Sequence, residues 1–287
     1  DAVVGGCFVQ ADLEDKIALD DLFAANQFDA VMHFASCIEV GESVERPGKY
    51  YQNNVANTLS LLNTMVVHKV KHFIFSSTAA IFGQPEYTPI DENHPKKPIN
   101  PYGKSKLMVE QMLEDFDHAH GLKSVCLRYF NAAGADPEGQ LGERHNPETH
   151  LIPLVLQAAS QRRKQIYIYG SDYETEDGTC VRDYIHVSDL AMAHVRALEY
   201  LQSSNDSLVL NCGYGQGYSV KQVLDALQEI TGSSINITQG DRRPGDAAAL
   251  VADNSLLSSI LSWKPEFNDL KVIISDALEW EKIYSKT

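Results

Sequence analysis

Short apolar runs alternate along the first half of the chain with longer stretches of helical periodicity. The runs are rich in β-branched and aromatic residues and lack strict polar–apolar alternation, which is typical of strands buried on both faces. They lie at 7–11, 30–34, 72–77 and 124–130. Helical patterns occupy 14–27, 48–69 and 103–120, and Gly121 is a candidate C-cap of the last helix. This alternation predicts βαβ units and a doubly wound parallel sheet.

The pattern changes after residue 131. Residues 131–150 are rich in glycine, proline and charge, and shorter strand-like runs follow at 165–170, 207–213 and 234–238. We therefore predict an α/β chain in two parts. A Rossmann-like, doubly wound domain would span 1–131, and a smaller α/β lobe would span 132–287, with segments near 181–213 returning to the first domain.

Composition and charge narrow the classes of partner. The formal net charge of the 287 residues is −15 at pH 7, which disfavours nucleic acid. No apolar run is long enough to span a membrane, so no membrane association is expected. The five cysteines are widely spaced and form no C-x-x-C pair. This pattern favours a reducing cytoplasm and predicts neither a disulfide framework nor a metal site.

Tyr102 and Lys106 stand one helical turn apart at the start of the 103–120 helical pattern. Free tyrosine has a pKa of about 10 and is a poor base near neutral pH. A neighbouring ammonium favours the phenolate, so the pair is a candidate general acid or base for a hydroxyl group. The same spacing arises by chance in many helices, and two solvated residues at a helix start remain the alternative.

Three hydroxyl side chains, Ser76, Ser77 and Thr78, end the strand-like run at 72–77. Ligands of doubly wound sheets bind outside the carboxyl ends of the strands, where such hydroxyls contact a substrate. The alternative is a Ser/Thr turn that satisfies its own backbone. Strand-end hydroxyls followed by Tyr102-x-x-x-Lys106 are more specific than either motif alone.

With these motifs the sequence resembles the extended short-chain dehydrogenase/reductase family and, within it, the UDP-sugar 4-epimerases. The resemblance rests on segments in the family's order, at 29–36, 40–55, 73–78, 101–111, 127–135, 148–155, 172–191 and 241–246. It implies an isomerase that interconverts UDP-glucose and UDP-galactose through transient NAD-dependent oxidation at sugar C4. It also implies a homodimer that uses the helices near 50–68 and 103–120. The alternatives are another UDP-sugar epimerase of the superfamily and a non-catalytic chain that binds nucleotide sugars.

The resemblance assigns the catalytic and cofactor residues. Tyr102 would take the proton of the sugar 4-hydroxyl, Lys106 would tune Tyr102 and bind the nicotinamide ribose, and Thr78 would bridge the hydroxyl and Tyr102. Residues 1–131 would then be the dinucleotide-binding domain. Its further NAD contacts would be Asp12 and Leu13 at the adenine, with Phe34, Ala35, Ser36, Asn53, Tyr129 and Phe130 completing the site.

The resemblance makes residues 132–287 the UDP-sugar-binding lobe. The UDP contacts would be Asn131, His150 and Leu151, with Tyr167, Ile168 and Tyr169 at the uracil, Arg182 and Arg243 at the diphosphate and Asp246 at the ribose. A guanidinium fork suits phosphate geometry. Leu250 stands where side-chain size is associated with admitting N-acetylated sugars. For single residues simpler interpretations stay open: Arg182 in a surface ion pair, and 167–169 as a core strand.

Two features depart from the family pattern. Ile38 stands where a lysine is common, which puts one cofactor contact in doubt. The sequence also contains no G-x-G-x-x-G, the motif that holds a dinucleotide pyrophosphate. Relative to the family, the chain begins at the third strand, so we expect an N-terminally incomplete domain, and the sequence leaves open whether it is active alone. A fragment, a shortened gene product and a second chain that supplies the missing unit are the three explanations, weighted in that order.

Overall fold

The computed structural model describes residue 3 and residues 5–243 and 246–284. The helices among them are α1 Lys16–Ala25, α2 Val40–Glu45, α3 Pro47–Tyr50, α4 Asn57–Val67, α5 Pro101–His120, α6 Leu151–Ala159, α7 Val187–Ser204, α8 Val220–Thr231, α9 Ser255–Leu261 and α10 Leu270–Tyr284. The strands are β1 Ala30–His33, β2 His72–Thr78, β3 Lys123–Tyr129, β4 Asn131–Ala133, β5 Ile166–Tyr169, β6 Val181–His186, β7 Leu208–Cys212, β8 Gly217–Ser219, β9 Ile237–Gly240 and β10 Ala249–Leu250. A π-helical stretch, Tyr51–Ala56, joins α3 to α4, and a 3₁₀ turn, Ala79–Ile81, follows β2.

The main sheet is parallel and has the strand order β1-β2-β3-β7. Successive side chains of β2 point to opposite faces, as the pleat requires. Phe73 and Phe75 pack with apolar side chains of α1, α4 and α5, whereas Ile74 packs with those of α7 and α9. Helices therefore cover both faces, and the predicted doubly wound α/β class is confirmed.

The second half of the chain builds a smaller, mixed arrangement. Strands β10, β6 and β4 run parallel, β8 pairs antiparallel with β6, and β5 pairs with β9. Helices α6, α8 and α10 enclose a separate apolar cluster beside these strands. Strand β7 joins the main sheet through β3. The division into domains 1–131 and 132–287 stays a prediction.

The strand predicted at 7–11 is wrong. These residues have no regular secondary structure, and the side chains of Phe8 and Val9 are 70% and 49% exposed. A strand needs a hydrogen-bonded neighbour, and none of the strands in the described part of the chain pairs with this segment. Regular structure starts instead at α1, where the carboxylate of Asp15 accepts from the backbone N–H groups of Ile17 and Ala18.

The other predicted elements of the first half are present with shifted ends. The 48–69 pattern forms α3, the π-helical stretch and α4 in succession. Helix α5 ends at Gly121, whose φ of 64° is the left-handed cap conformation that glycine adopts readily. Within the described ranges, no helix combines the length and the apolar character needed to cross a membrane.

A buried ion pair connects α5 to the centre of the main sheet. The Arg128 guanidinium on β3 donates to both carboxylate oxygens of Glu110 on α5, at 2.9 and 2.6 Å. Ser77 of β2 donates to the same carboxylate at 2.5 Å. Such fork-to-carboxylate pairing satisfies both charges inside the fold.

We expect Glu110→Gln to lower the free energy of unfolding by about 3–5 kcal/mol, because it leaves the Arg128 charge buried without its counter-ion. Urea unfolding measures the change. The matched control is Glu199→Gln in the solvent-exposed pair with Arg196, where the expected change is below about 1 kcal/mol. Equal losses of unfolding free energy in the two variants would show that the buried Glu110–Arg128 pair stabilises the protein no more than an exposed ion pair does.

Candidate active site

The start of α5 is held close to the end of β2. The Asn100 side chain caps the helix by accepting from Gly103 N at 2.8 Å, and Pro101 occupies the first turn. A Cβ built on Gly103 would lie 2.5 Å from the carbonyl oxygen of Ala80. Only a residue without a side chain permits this approach, which brings Tyr102 beside Thr78.

Of the three strand-end hydroxyls, only Thr78 lines the large cavity above the sheet. Ser76 forms a 3.1 Å hydrogen bond with His194, and Ser77 donates to Glu110. Both side chains therefore bond to buried groups inside the protein and do not face the cavity. Of the strand-end hydroxyls that the sequence offered for a ligand, Thr78 is thus the one at the cavity, and its assigned role stays a prediction.

Lys106 lies buried behind Tyr102 and contacts two other segments. Its ammonium donates to Ser36 Oγ at 2.7 Å and to the carbonyl oxygen of Ser76 at 2.8 Å. Burial lowers the pKa of Lys106 to about 7, although the carboxylate of Glu110 acts in the opposite direction. The lysine is thus strongly desolvated and held by neutral acceptors.

Tyr102 has a pKa raised well above its ordinary value. Burial is the main cause, Tyr129 adds to it, and a hydrogen bond with Thr78 acts weakly against it. The Lys106 ammonium points to Ser36 and Ser76 and lies 6.0 Å from the centre of the Tyr102 ring, and its expected effect on the phenolate stays a prediction. The raised pKa favours the protonated hydroxyl of Tyr102.

The cavity has a volume of about 800 Å³, within the range of small-molecule sites. Nine of the residues singled out from the sequence line it, namely Thr78, Tyr102, Tyr129, Phe130, Asn131, His150, Arg182, Asp246 and Leu250. Apolar side chains that sequence reasoning missed, such as Val40, Ile99 and Leu141, complete its walls. Lone apolar residues in loops carry no signal of this role.

Arg182 on β6 is fixed at the cavity wall. Its Nη1 donates to the carbonyl oxygens of Val181 and Ala247 at 2.8 and 2.9 Å, and Nη2 lies 3.4 Å from an Asp246 carboxylate oxygen. The alternative of a surface ion pair with Asp183 does not hold, because Asp183 is buried and accepts from backbone N–H groups of Tyr214, Gly215 and Ala252.

His150 stands at the N-cap of α6 between two carboxylates. Its Nδ1 lies 2.6 Å from Glu143 and 2.9 Å from Glu148. Burial lowers the pKa of His150, but these carboxylates outweigh it and raise the pKa to about 10. Its neighbour Leu151 does not line the cavity; it packs against the apolar cluster of the second half.

The residues assigned to the uracil lie apart from the cavity. Tyr167 and Tyr169 are exposed on β5, and Ile168 between them is buried in the core. The Arg243 guanidinium lies 4.0 Å from the centre of the Tyr169 ring, so it covers one face of that ring. The assignment of these four residues stays a prediction.

The loop after β1, where cofactor contacts are predicted, is clamped by a side chain that sequence reasoning missed. Buried Asn54 in the π-helical stretch accepts from Cys37 N at 2.8 Å and donates to Cys37 O at 3.0 Å. It also donates to Ser105 on α5. Its neighbour Asn53 donates to Asn54 at 2.9 Å. The clamp fixes the loop that carries Ser36 against α5.

The remaining residues assigned to the cofactor lie away from the cavity. Phe34 and Ala35 are exposed, and the Phe34 ring centre lies 4.7 Å from that of His194. Asp12 is exposed and accepts from Glu14 N at 2.9 Å, whereas Leu13 packs against the apolar cluster under α1. None of these four residues lines the cavity, and their roles stay predictions.

The fold and the site together define a Rossmann-like α/β protein with a tyrosine–lysine pair beside a ligand-sized cavity. Comparison with known proteins narrows that class. The chain belongs to the NAD dependent epimerase/dehydratase family, whose sequence pattern matches residues 1–213. The resemblance inferred from the sequence is confirmed, and NAD is the cofactor of this family.

Individual relatives agree with the family. The chain is 48% identical over 275 residues to a UDP-glucose 4-epimerase of Halalkalibacterium halodurans, covering 96% of this chain and 82% of the relative. A Brucella ovis UDP-glucose 4-epimerase solved with NAD is 46% identical, with a TM-score of 0.92 over 95% of this chain and 84% of that one. A Bifidobacterium longum UDP-glucose 4-epimerase solved with NAD⁺ and UDP is 41% identical, with a TM-score of 0.92 over 96% and 83%.

The lowered pKa of Lys106 predicts how the free energy of unfolding changes with pH. Its pKa in the folded protein, about 7, lies below the ordinary 10.5, so the folded state binds fewer protons between these values. The free energy of unfolding therefore rises with pH across this window on account of Lys106. We expect the stability of Lys106→Met relative to wild type to fall by on the order of 2 kcal/mol between pH 7 and about 9.5.

Urea unfolding at the two pH values measures this difference. Lys104→Met, a substitution of an exposed lysine on the same helix, is the control and should give wild-type pH dependence. Parallel pH curves for Lys106→Met and wild type would show that burial does not perturb Lys106.

Proposed function

We propose that the chain interconverts UDP-glucose and UDP-galactose by epimerisation at sugar C4, with NAD as cofactor. The observation that carries the proposal is the Thr78–Tyr102 hydroxyl pair facing the cavity with the Lys106 ammonium buried behind it. The UDP-glucose 4-epimerase names of the relatives support the choice of sugar.

The described residues fit the nicotinamide side of NAD. The buried Lys106 ammonium donates to the half-buried Ser36 hydroxyl at 2.7 Å, and the two groups are suited to ribose hydroxyls. Tyr129 and Phe130 supply ring surface at the cavity wall. The sequence lacks the glycine motif for the pyrophosphate. When bound, NAD supplies reversible hydride transfer and a positive charge near Tyr102.

The residues of the chain would handle the proton. Thr78 forms a hydrogen bond with Tyr102 and lines the same cavity, so its hydroxyl would relay between the sugar 4-hydroxyl and Tyr102. The proton would pass to Tyr102 once a nearby positive charge brings down its raised pKa, and it would return when C4 is reduced again. The low dielectric around the buried pair strengthens this electrostatic control.

The opposite wall would hold UDP while the sugar turns. Arg182, anchored by two backbone carbonyls, would present its remaining donors to the diphosphate. Asp246 lies beside it as an acceptor for a ribose hydroxyl. A cavity of about 800 Å³ gives a hexose room to present either face while the nucleotide stays fixed.

Assembly and location complete the proposal. A homodimer through α4 and α5 is supported by exposed apolar side chains on these helices, namely Leu59, Val67 and Met108. A cytoplasmic location is supported by five cysteines that are all free thiols. UDP-galactose as substrate would place the chain in galactose metabolism.

We expect Tyr102→Phe to lower the rate of UDP-glucose formation from UDP-galactose at least about 100-fold, because it removes the proton acceptor. UDP affinity should not change, since the phenol oxygen does not hold the nucleotide. The assay uses saturating NAD, with this chain and with the same chain preceded by a glycine-rich βαβ unit. Tyr87→Phe, at an exposed tyrosine, is the control. UDP binding without turnover in both forms would favour a non-catalytic nucleotide-sugar binder.

Arg182→Lys tests whether Arg182 binds the diphosphate of UDP. Lysine cannot reproduce the anchored guanidinium fork, so we expect UDP affinity to fall by about tenfold, measured by titration calorimetry. Arg196→Lys, at an exposed arginine of α7, is the matched control. Unchanged UDP affinity in Arg182→Lys would remove Arg182 from the diphosphate site.

A further inference from the structure

Four side chains converge between β4 and α6: Glu143, His145, Glu148 and His150, which we call the Glu/His cluster. Each offers one ligand atom, and these atoms all lie within 4.8 Å of one another. We propose that the Glu/His cluster binds a divalent transition-metal ion, of which Zn²⁺ is the type, at the rim of the cavity. The proposal stands independently of the function proposed above.

The separations between the four ligand atoms are close to those of a metal site. His150 Nδ1 lies 2.6 Å from Glu143 and 2.9 Å from Glu148, and His145 Nδ1 lies 3.0 Å from Glu143 and 3.7 Å from Glu148. Ligands about 2.0–2.1 Å from a tetrahedral zinc are separated by roughly 3.3 Å. The atoms would shift by less than about 1 Å to enclose an ion.

The donor set selects the class of metal. Two imidazoles and two carboxylates suit zinc and its neighbours, whereas Ca²⁺ and Mg²⁺ prefer oxygen ligands and Cu⁺ prefers sulfur. The side chains of Glu148 and Glu143 are only 8% and 18% exposed. These carboxylates now share the His150 imidazolium as their countercharge, and a divalent cation would take the place of its proton and neutralise both carboxylates.

The ligands are held by their surroundings. One Glu148 carboxylate oxygen accepts from the backbone N–H groups of Thr149 and His150, both at 2.8 Å. The Trp280 indole on α10 donates to Glu143 O at 2.9 Å, and Gly142 packs so close to that ring that a Cβ would overlap it. Outer contacts of this kind orient metal ligands.

The cavity supplies an entry path. Glu143, His145 and His150 line it, so an ion reaches the cluster from solvent without opening the core. His145 is 39% exposed at its side chain and has no assigned role in the proposed reaction. It is therefore the ligand whose removal separates metal binding from the proposed chemistry.

Co²⁺ titration of the metal-free full chain tests the proposal. We expect visible d–d absorption that saturates at one Co²⁺ per chain and disappears when Zn²⁺ displaces it. His145→Ala and, independently, Glu143→Gln should each weaken Co²⁺ binding about tenfold or more. His118→Gln, an exposed histidine of α5, should leave it unchanged. Circular dichroism confirms that each variant is folded.

Three results would overturn the proposal. The first is the absence of saturable visible absorption in wild type, which would leave the cluster as carboxylate–imidazolium ion pairs. The second is a near-ultraviolet thiolate-to-cobalt band, which would assign binding to the cysteines. The third is Co²⁺ affinity that persists unchanged in both folded ligand variants.

Discussion

A line of buried charges on one face of α5 holds this helix to the sheet. Lys106 and Glu110 stand one turn apart, and each reaches a different strand: the ammonium contacts the end of β2, and the carboxylate contacts Arg128 on β3. Charges removed from water are tolerated only where their partners are fixed. The position of Tyr102 on the same face therefore follows from contacts made deeper along the helix.

The same contacts connect the two halves of the site. Ser36 reaches Lys106 because Asn54 clamps the loop after β1, and Thr78 meets Tyr102 because β2 ends beside the first turn of α5. The opposite wall comes from β6 and the segment before β10, which belong to a separate sheet. The wall that carries Thr78 and Tyr102 and the wall that carries Arg182 and Asp246 are thus built on different elements around one cavity.

Local pattern predicted much of this arrangement, and non-local packing decided the rest. The strands at 72–77 and 124–130 were predictable because residues buried on both sides are apolar throughout. The run at 7–11 has similar residues but lacks a pairing neighbour, which no local window reveals. Spacing predicted that Tyr102 and Lys106 share a face. Their pKa values depend on burial, and Lys106 is held by Ser36, 70 residues away in sequence. The spacing of the two residues reveals neither. Glu110 and Arg128 were detectable only as charges within otherwise buried patterns.

The close approach at Gly103 has a consequence for how the protein tolerates variation. The Ala80 carbonyl and the first turn of α5 meet across a gap that holds a hydrogen atom but no methyl group. Any larger residue at position 103 would push α5 away from the end of β2, although no residue that lines the cavity would have been changed. Thr78 and Tyr102 would then be separated without either being altered. A position with no functional group of its own would in this way determine whether the two hydroxyls remain within reach of one proton.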